Sequence, residues 1–409
     1  MLACALCAPE PARAQAQVLP YAGVQLEYNT NVFALPSENQ AQLQTGEDKL
    51  DDFVLRGVAG LALDWPFGRQ RLRVEAEGRY EQYLHFDDLA HADYRYGAVL
   101  DWRLSDSFDG NVGYRQERRM PSFVERPGTE LVLETERGVG AGANLQINPT
   151  WRLETAVRAR DLDSPLPEDP EFSLEEQAAR AALNYLGAQS LVLGTYLEYL
   201  TGEYFGEEAG EFTQESYGFR ASYGVPKLYG VGVEVGYTDR QDERADLSGV
   251  AAPTGRIGYR RALSGKTLVG LSAFREINSN VLEGGFVDET GVEAAITVQA
   301  TGKSEAAAGY QYRRSSFQNV RDPALGGRED RLHTFALRWT WEPLSWLLVR
   351  TNAGWQSRDS NQPIFRFHGL VFGLGFVVAR RPPDDSALRL IGVRRDLIDG
   401  VLPQGSIPQ

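Results

Sequence analysis

The sequence predicts an all-β fold, a transmembrane antiparallel up-and-down β-barrel of about 18 strands, within limits of about 16 and 20. Three patterns lead to this prediction: tight-turn signals recur at a regular interval, the segments between them alternate apolar and polar residues, and tryptophans collect near the turns. Together these patterns predict a ring of hairpins, with short periplasmic turns at one rim and long extracellular loops at the other.

Tight-turn signals start at eight places in the chain, and neighbouring starts lie 37 to 43 residues apart. The eight starting residues are Pro66, Ser105, Asn148, Gly187, Pro226, Ser264, Thr301 and Glu342. Between consecutive turns, two strand-like segments flank a longer polar stretch rich in Asp, Glu, Pro and Gly. The repeating unit is therefore a hairpin, and eight short turns with nine long loops imply 18 strands.

A β-propeller is the main alternative fold, because its blades also repeat at about 40 residues. Each blade has four strands, which would require a turn about every ten residues. Segments such as 53–65, 71–84 and 345–358 instead run without a strong breaker. That length suits a tilted membrane-spanning strand, which needs about 9 to 11 residues.

The stretch RLRVEAEGRYEQYL, residues 71–84, shows the alternation most clearly. Successive side chains of a strand point to opposite faces of the sheet, so Leu72 and Val74 share one face and the charged residues share the other. In a membrane barrel the apolar face meets lipid, whereas the charged face lines water. The predicted pore-lining residues are Arg56, Arg71, Arg73, Glu75, Glu77, Arg79, Glu81, Arg152, Glu154, Arg158, Arg220 and Arg350.

Five of the seven tryptophans lie within a few residues of a tight turn. Indole rings favour the membrane interface, where the apolar ring and the polar N–H group are both satisfied. Ordinary edge packing in a β-sandwich is the alternative explanation for some of them. The predicted interface girdle consists of Trp65, Trp102, Trp151, Trp341 and Trp346.

Residues 1–16 predict a secretory signal peptide with a late assigned start, because a short apolar stretch precedes two small-x-small cleavage sites. Both cysteines, Cys4 and Cys7, lie inside it, so we expect no disulfide and no cysteine metal site in the mature chain. Residues 18–380 are expected to form the barrel and residues 381–409 a periplasmic tail. The sequence contains no stretch of about 18 uncharged apolar residues, so no transmembrane helix is predicted.

The formal net charge of −14 argues against nucleic acid as a partner, because phosphate neutralisation requires a basic surface. The chain has four histidines, which are His85, His91, His333 and His368. No two of them have the spacing of a metal-ligand pair. The neighbouring carboxylates Glu75 and Glu77 are flanked by arginines, which suits a channel lining better than a glycosidase site. We therefore expect no enzyme activity, no catalytic or metal-binding residue and no cofactor.

The run VLPYAGVQLEYNTNVFALP, residues 18–36, contains an aromatic-Asn-x-Asn element from Tyr28 to Asn31. This run resembles the first strand and loop of the β-barrel porin type 2 family, whose members continue as a long series of hairpins. The resemblance implies a channel in the cell outer membrane, in contact with lipid and lipopolysaccharide.

The resemblance also implies a role as the exit for a secreted polysaccharide, delivered by a periplasmic polysaccharide-export protein. The alternative function is a general diffusion porin for small solutes. An outer-membrane enzyme or adhesin is the third candidate. The identity of any solute or polymer does not follow from the sequence.

Overall fold

A computed structural model describes residues 16–126, 128–165, 172–187, 190–206, 210–225, 228–243, 249–279, 285–318 and 327–379. The strands are β1 Gln17–Asn29, β2 Asp52–Phe67, β3 Gln70–Tyr83, β4 His91–Arg103, β5 Phe108–Arg119, β6 Glu134–Asn148, β7 Trp151–Asp163, β8 Ser173–Leu186, β9 Val192–Phe205, β10 Gly210–Val225, β11 Tyr229–Asp242, β12 Val250–Ser264, β13 Thr267–Ser279, β14 Phe286–Thr301, β15 Ser304–Gln318, β16 Glu329–Leu344, β17 Leu347–Ser360 and β18 Phe367–Ala379. The helices are α1 Glu38–Thr45 and the 3-10 turns Asp87–Leu89 and Pro363–Phe365.

The expected signal peptide, apart from residue 16, and the expected tail lie outside the described residues. None of the described helices is both long and apolar enough to cross a membrane.

The eighteen strands form one closed antiparallel sheet in which each strand pairs with its neighbours in the sequence. Closure comes from β1, which pairs with β2 on one side and with β18 on the other, where Tyr21 faces Ala379 and Asn29 faces Val371. A closed sheet has no edge strand, so its backbone groups are paired within the ring. The prediction of an up-and-down barrel of 18 strands is confirmed.

The two rims of the barrel differ in the length of their connections, as the sequence predicts. We call one end the turn rim, which carries the short connections 68–69, 104–107, 149–150, 187–191, 226–228, 265–266, 302–303 and 345–346. The other end is the loop rim, which carries the connections 30–51, 84–90, 120–133, 164–172, 206–209, 243–249, 280–285, 319–328 and 361–366. Both ends of the described chain lie at the turn rim, because β1 starts there and β18 ends there.

Contacts between strands that are not neighbours identify the inner face of the wall. Arg180 on β8 donates a hydrogen bond to Glu234 on β11 at 2.8 Å. Ser279 on β13 donates to Glu176 on β8 at 2.6 Å. Side chains separated by several strands can meet only inside the ring, so the alternation of a strand then assigns every second residue to the inner wall.

The outer face is a belt of large apolar side chains that are exposed in the isolated chain. Leu26 is 46% exposed, Val157 56% and Phe219 67%, and all three belong to the set opposite the inner wall. Exposed apolar surface of this extent is the outer band of a membrane barrel. Because the sheet is closed and its outer belt is apolar, the chain is a multi-pass β-barrel of the cell outer membrane.

Aromatic side chains mark both ends of the outer belt. Four tryptophans of the predicted girdle lie on the outer face close to the turn rim: Trp65, Trp102, Trp151 and Trp341. The fifth, Trp346, lies in the turn 345–346. Tyrosines such as Tyr28, Tyr80 and Tyr94 occupy the outer face near the loop rim. Interfacial rings at both levels fit a band of hydrocarbon between them.

The first connection of the loop rim, 30–51, folds back against the inner wall. Its residues Val32, Phe33 and Leu35 are buried with Val54 and Tyr83 of β2 and β3. Phe123 from the connection 120–133 and Phe367 at the start of β18 complete the same apolar cluster. This cluster, which we call the mouth cluster, occupies part of the loop rim.

Candidate channel lumen

Arginine supplies the positive charge of the inner wall. The sequence has four lysines, Lys49, Lys227, Lys266 and Lys303, and no strand that the structure describes contains one. The guanidinium group stays charged and presents a planar fork of donors that matches a carboxylate. Arginines facing a watery lumen can therefore form fixed pairs with the many acidic residues on the same face.

A first charged cluster lies beneath the mouth cluster, on β1 to β4. Arg56 is 2.5 Å from Glu27 through Nη1 and 2.9 Å from Glu81 through Nε. On the next pair of strands, Arg95 donates to Glu77 at 3.3 Å. These side chains are largely buried, so each carboxylate is compensated by a guanidinium group rather than by bulk water.

A second charged cluster lies on β7 to β11, further around the ring. Arg180 contacts Glu198 at 3.3 Å and Glu234 at 2.8 Å, while Arg158 contacts Glu198 at 3.1 Å. The Arg158 side chain is 63% exposed, so it projects into the lumen. Positively and negatively charged side chains therefore alternate across the inner wall in this part of the barrel.

Arg220 of β10 extends this second cluster towards the turn rim. It donates to Asn184 Oδ1 at 2.6 Å and also pairs with Glu154 of β7. The side chains of the second charged cluster, Arg158 and Glu198 among them, line a cavity of about 1080 Å³. A space of this size, bordered by charged side chains, can hold hydrated solutes.

The middle of one strand of the inner wall has no inward side chains. On β6 the inward positions include Gly138, Gly140 and Gly142, because the register pairs them with inward residues of β5. Glycine leaves no side chain in the lumen, which widens the passage beside the second charged cluster. This glycine stretch of β6 lies between the strands of the first cluster and those of the second.

The contacts across the lumen identify the inner face of the wall. Strand alternation then places all twelve predicted pore-lining residues on that face. The structure brings together Arg56 with Glu81 and Arg220 with Glu154. Arg79 also lies 3.6 Å from Glu77.

Other predicted residues lie apart from these clusters. Arg71 pairs with Asp64, and Arg73 is 2.8 Å from Asp101, both pairs lying near the turn rim. Arg350 is the one predicted residue on β17, and it is 9% exposed. The predicted set is therefore spread around the ring rather than gathered in one site.

Several charged residues of the lumen were not singled out from the sequence, including Glu27, Asp93, Arg95, Arg180 and Glu198. Each lies on the inward side of an alternating strand. The signal that could have found them is the strand alternation itself, carried through every strand from a fixed starting residue. Their pairing across strands has no sequence signal, because partners such as Arg180 and Glu234 are 54 positions apart.

No family model matches the chain, and no curated protein matches it. Among solved structures, it is similar to OpdK of Pseudomonas aeruginosa crystallised with vanillate, at 14% identity over 88% of this chain and 98% of the other, with a TM-score of 0.45. It is similar to OccK9 (OpdG) of Pseudomonas aeruginosa, at 14% identity over 90% and 100%, with a TM-score of 0.47. It is also similar to a BenF-like porin of Pseudomonas fluorescens Pf-5, at 11% identity over 89% and 98%, with a TM-score of 0.48.

Proposed function

We propose that the barrel is a diffusion channel for small polar solutes across the outer membrane. Two features together carry this proposal. Charged side chains line the cavities of the lumen, and connections between strands fold inward and narrow the loop rim. The charged wall stabilises hydrated solutes, while the narrowed rim limits their size. The side chains that border the lumen would exchange hydrogen bonds with a passing solute.

The loop rim is narrowed from two sides. On one side the mouth cluster fills the space beside β2, β3 and β18. On the other side, Tyr204 of β9 donates to Gly285 O at 2.6 Å, and Arg240 of β11 donates to the same carbonyl at 3.3 Å. Gly285 directly precedes β14, so this contact spans several strands of the ring.

A polysaccharide exit, which the family resemblance implies, receives less support from this geometry. The mouth cluster, which buries residues such as Phe33 and Phe123, takes up part of the space at the loop rim that a polymer would need to cross. A small solute would need only the cavities beneath it. The periplasmic polysaccharide-export protein remains a prediction, as do specific contacts with lipopolysaccharide.

The charge pattern further favours a channel of weak ion selectivity. Arginines and carboxylates pair along the inner wall, as Arg180 does with Glu198 and Glu234. Paired charges of opposite sign largely cancel in the field that a distant ion experiences. We therefore expect small cations and anions to pass at similar rates.

The test is reconstitution of the full chain into planar bilayers and into liposomes. We expect discrete conductance steps, a reversal potential near zero in a salt gradient, and liposome swelling with small sugars that disappears as sugar size increases. A folded barrel without conductance or swelling would overturn the proposal. Swelling with long oligosaccharides as fast as with a monosaccharide would instead favour a polymer exit.

A further inference from the structure

Three buried side chains able to bind a metal ion meet on the inner wall near the loop rim. Glu81 lies on the inward side of β3 near its end at the loop rim, and the sheet register places it opposite His91 at the start of β4. Asp93 follows His91 on the same face of β4. These residues are 9%, 6% and 6% exposed, and one ligand atom from each lies within 4.8 Å of the other two.

The orientation of the His91 ring suits a metal ligand. Its Nδ1 is 2.7 Å from Leu89 O, and a carbonyl can only accept a hydrogen bond, so Nδ1 carries the proton. The other ring nitrogen, Nε2, then faces the carboxylates and lies 3.5 Å from Asp93 Oδ1. Metal-binding histidines commonly donate their second nitrogen to a backbone carbonyl in this way, which fixes the ring.

Asp93 provides an independent sign that a ligand is expected at this place. Its Oδ1 is buried and has no hydrogen-bond partner within the part of the chain that the structure describes. Its other oxygen, Oδ2, is 3.9 Å from the guanidinium group of Arg79. A buried carboxylate oxygen without a partner is costly, and a bound cation would remove that cost.

Glu81 is held in place by Arg56, whose Nε is 2.9 Å from Glu81 Oε1. With a neutral imidazole, the lone pair of His91 Nε2 and the oxygens of two carboxylates would face one another. Three electron-rich groups in such a small space repel one another unless a cation lies between them. Arg56 beside Glu81 and Arg79 beside Asp93 offset part of this charge, and a proton on His91 or a metal ion between the three groups would offset the rest.

We propose that Glu81, His91 and Asp93 form a lumen site for a divalent transition-metal ion of the Zn²⁺ class. Bonds of about 2.0 to 2.2 Å to a tetrahedral ion place its ligands about 3.4 Å apart, close to the observed separation of His91 Nε2 and Asp93 Oδ1. One imidazole with two carboxylates suits zinc better than calcium, which prefers six to eight oxygen ligands.

The fourth coordination position would face the lumen. All three residues border a cavity of about 390 Å³ that also touches Asn31 and Val124 beneath the mouth cluster. Water or an anionic group of a passing solute would complete the coordination there. The sequence indicated no metal site because it offers no histidine pair, whereas this site combines one histidine with carboxylates of two strands.

The test is calorimetric titration of Zn²⁺ into the full, folded chain in detergent after treatment with a chelator. We expect one equivalent of zinc per barrel, with no competition from Ca²⁺ at similar concentration. His91→Gln and, separately, Asp93→Asn should weaken binding at least about tenfold. The matched control is His85→Gln, since His85 lies at the same rim beside the exposed Glu47 and is not part of the site.

Heat-modifiable gel mobility shows whether each variant is folded. If a variant fails to fold, X-ray absorption of the zinc-loaded unmodified chain decides: one imidazole with oxygen ligands supports the site, and a shell without imidazole overturns it. Absence of zinc binding to the unmodified chain, or unchanged binding by folded His91→Gln, would mean that His91 forms an ion pair as a protonated side chain. None of these readouts depends on conductance. The zinc site and the proposed channel function are therefore tested independently of each other.

Discussion

Tyr21 on β1 donates a 2.7 Å hydrogen bond to Glu77 on β3, passing over the intervening strand β2 inside the lumen. The position on β2 that it crosses is Gly60, where an added Cβ would lie 2.3 Å from the tyrosine ring and 2.9 Å from Ala76 O. The absence of a side chain at Gly60 is therefore what allows two strands that do not pair to be joined at the inner wall.

This relationship predicts that Gly60→Ala destabilises the barrel. The new methyl group would have to displace the Tyr21 ring or the backbone, which we expect to cost about 1 to 3 kcal/mol. The control is Gly57→Ala on the same strand, where an added Cβ meets nothing within 4 Å. Urea unfolding in lipid vesicles, followed by gel mobility, should separate the two variants, and equal stabilities would show that Tyr21 can adapt.

The two faces of β7 should respond in opposite ways to substitution. Val157 lies on the outer face at the middle of the strand, and Arg158 beside it projects into the lumen. Val157→Arg places a charge in hydrocarbon and should cost about 2 to 4 kcal/mol of folding free energy. Arg158→Val should leave assembly nearly intact. The measurement is the folded fraction in bilayers across a urea series, and the reverse ranking would mean that the faces are exchanged.

Arg220 offers a test of the charge balance in the lumen. Arg220→Ala removes a positive charge and leaves Glu154 without this partner, so the reversal potential in a potassium chloride gradient should shift towards cation selectivity. The double variant Arg220→Ala with Glu154→Gln removes both charges and should return the reversal potential towards that of the unmodified channel. A shift that persists in the double variant would rule out compensation by this pair.

Asn31 makes three side-chain hydrogen bonds at the start of the connection that forms the mouth cluster. Its side-chain amide donates to Leu35 O at 2.8 Å and to His368 O at 3.1 Å, and its Oδ1 accepts from Leu35 N at 3.0 Å. Asn31→Ala should release the connection 30–51 from the wall, increase single-channel conductance and make the connection a protease target, at a cost of about 1 to 3 kcal/mol.

Asn39→Ala is the control for this variant, because Asn39 lies in the same connection with an exposed side chain. It should change neither conductance nor proteolysis. If Asn31→Ala also leaves both properties unchanged, the mouth cluster is held by its apolar contacts alone. The same result would mean that the hydrogen bonds of Asn31 in the aromatic-Asn-x-Asn element do not contribute to narrowing the rim.

The sequence by itself determined the features that depend on local patterns. The period of two assigned Leu72 and Arg73 to opposite faces, and the spacing of turns led to 18 strands, because strand alternation and turn chemistry are properties of adjacent residues. The placement of tryptophans beside short turns likewise needed only sequence distance. These features therefore agree with the structure.

Only the tertiary structure decided which side chains meet across the wall. Strand alternation predicts that Glu77 and Glu81 point inward. It does not predict that Tyr21 donates a hydrogen bond to Glu77, or that His91 and Asp93 lie beside Glu81. Such contacts depend on how the strands are staggered around a closed ring and on how the loops fold back into it. Those are relations between distant parts of the chain, for which no local residue pattern carries a signal.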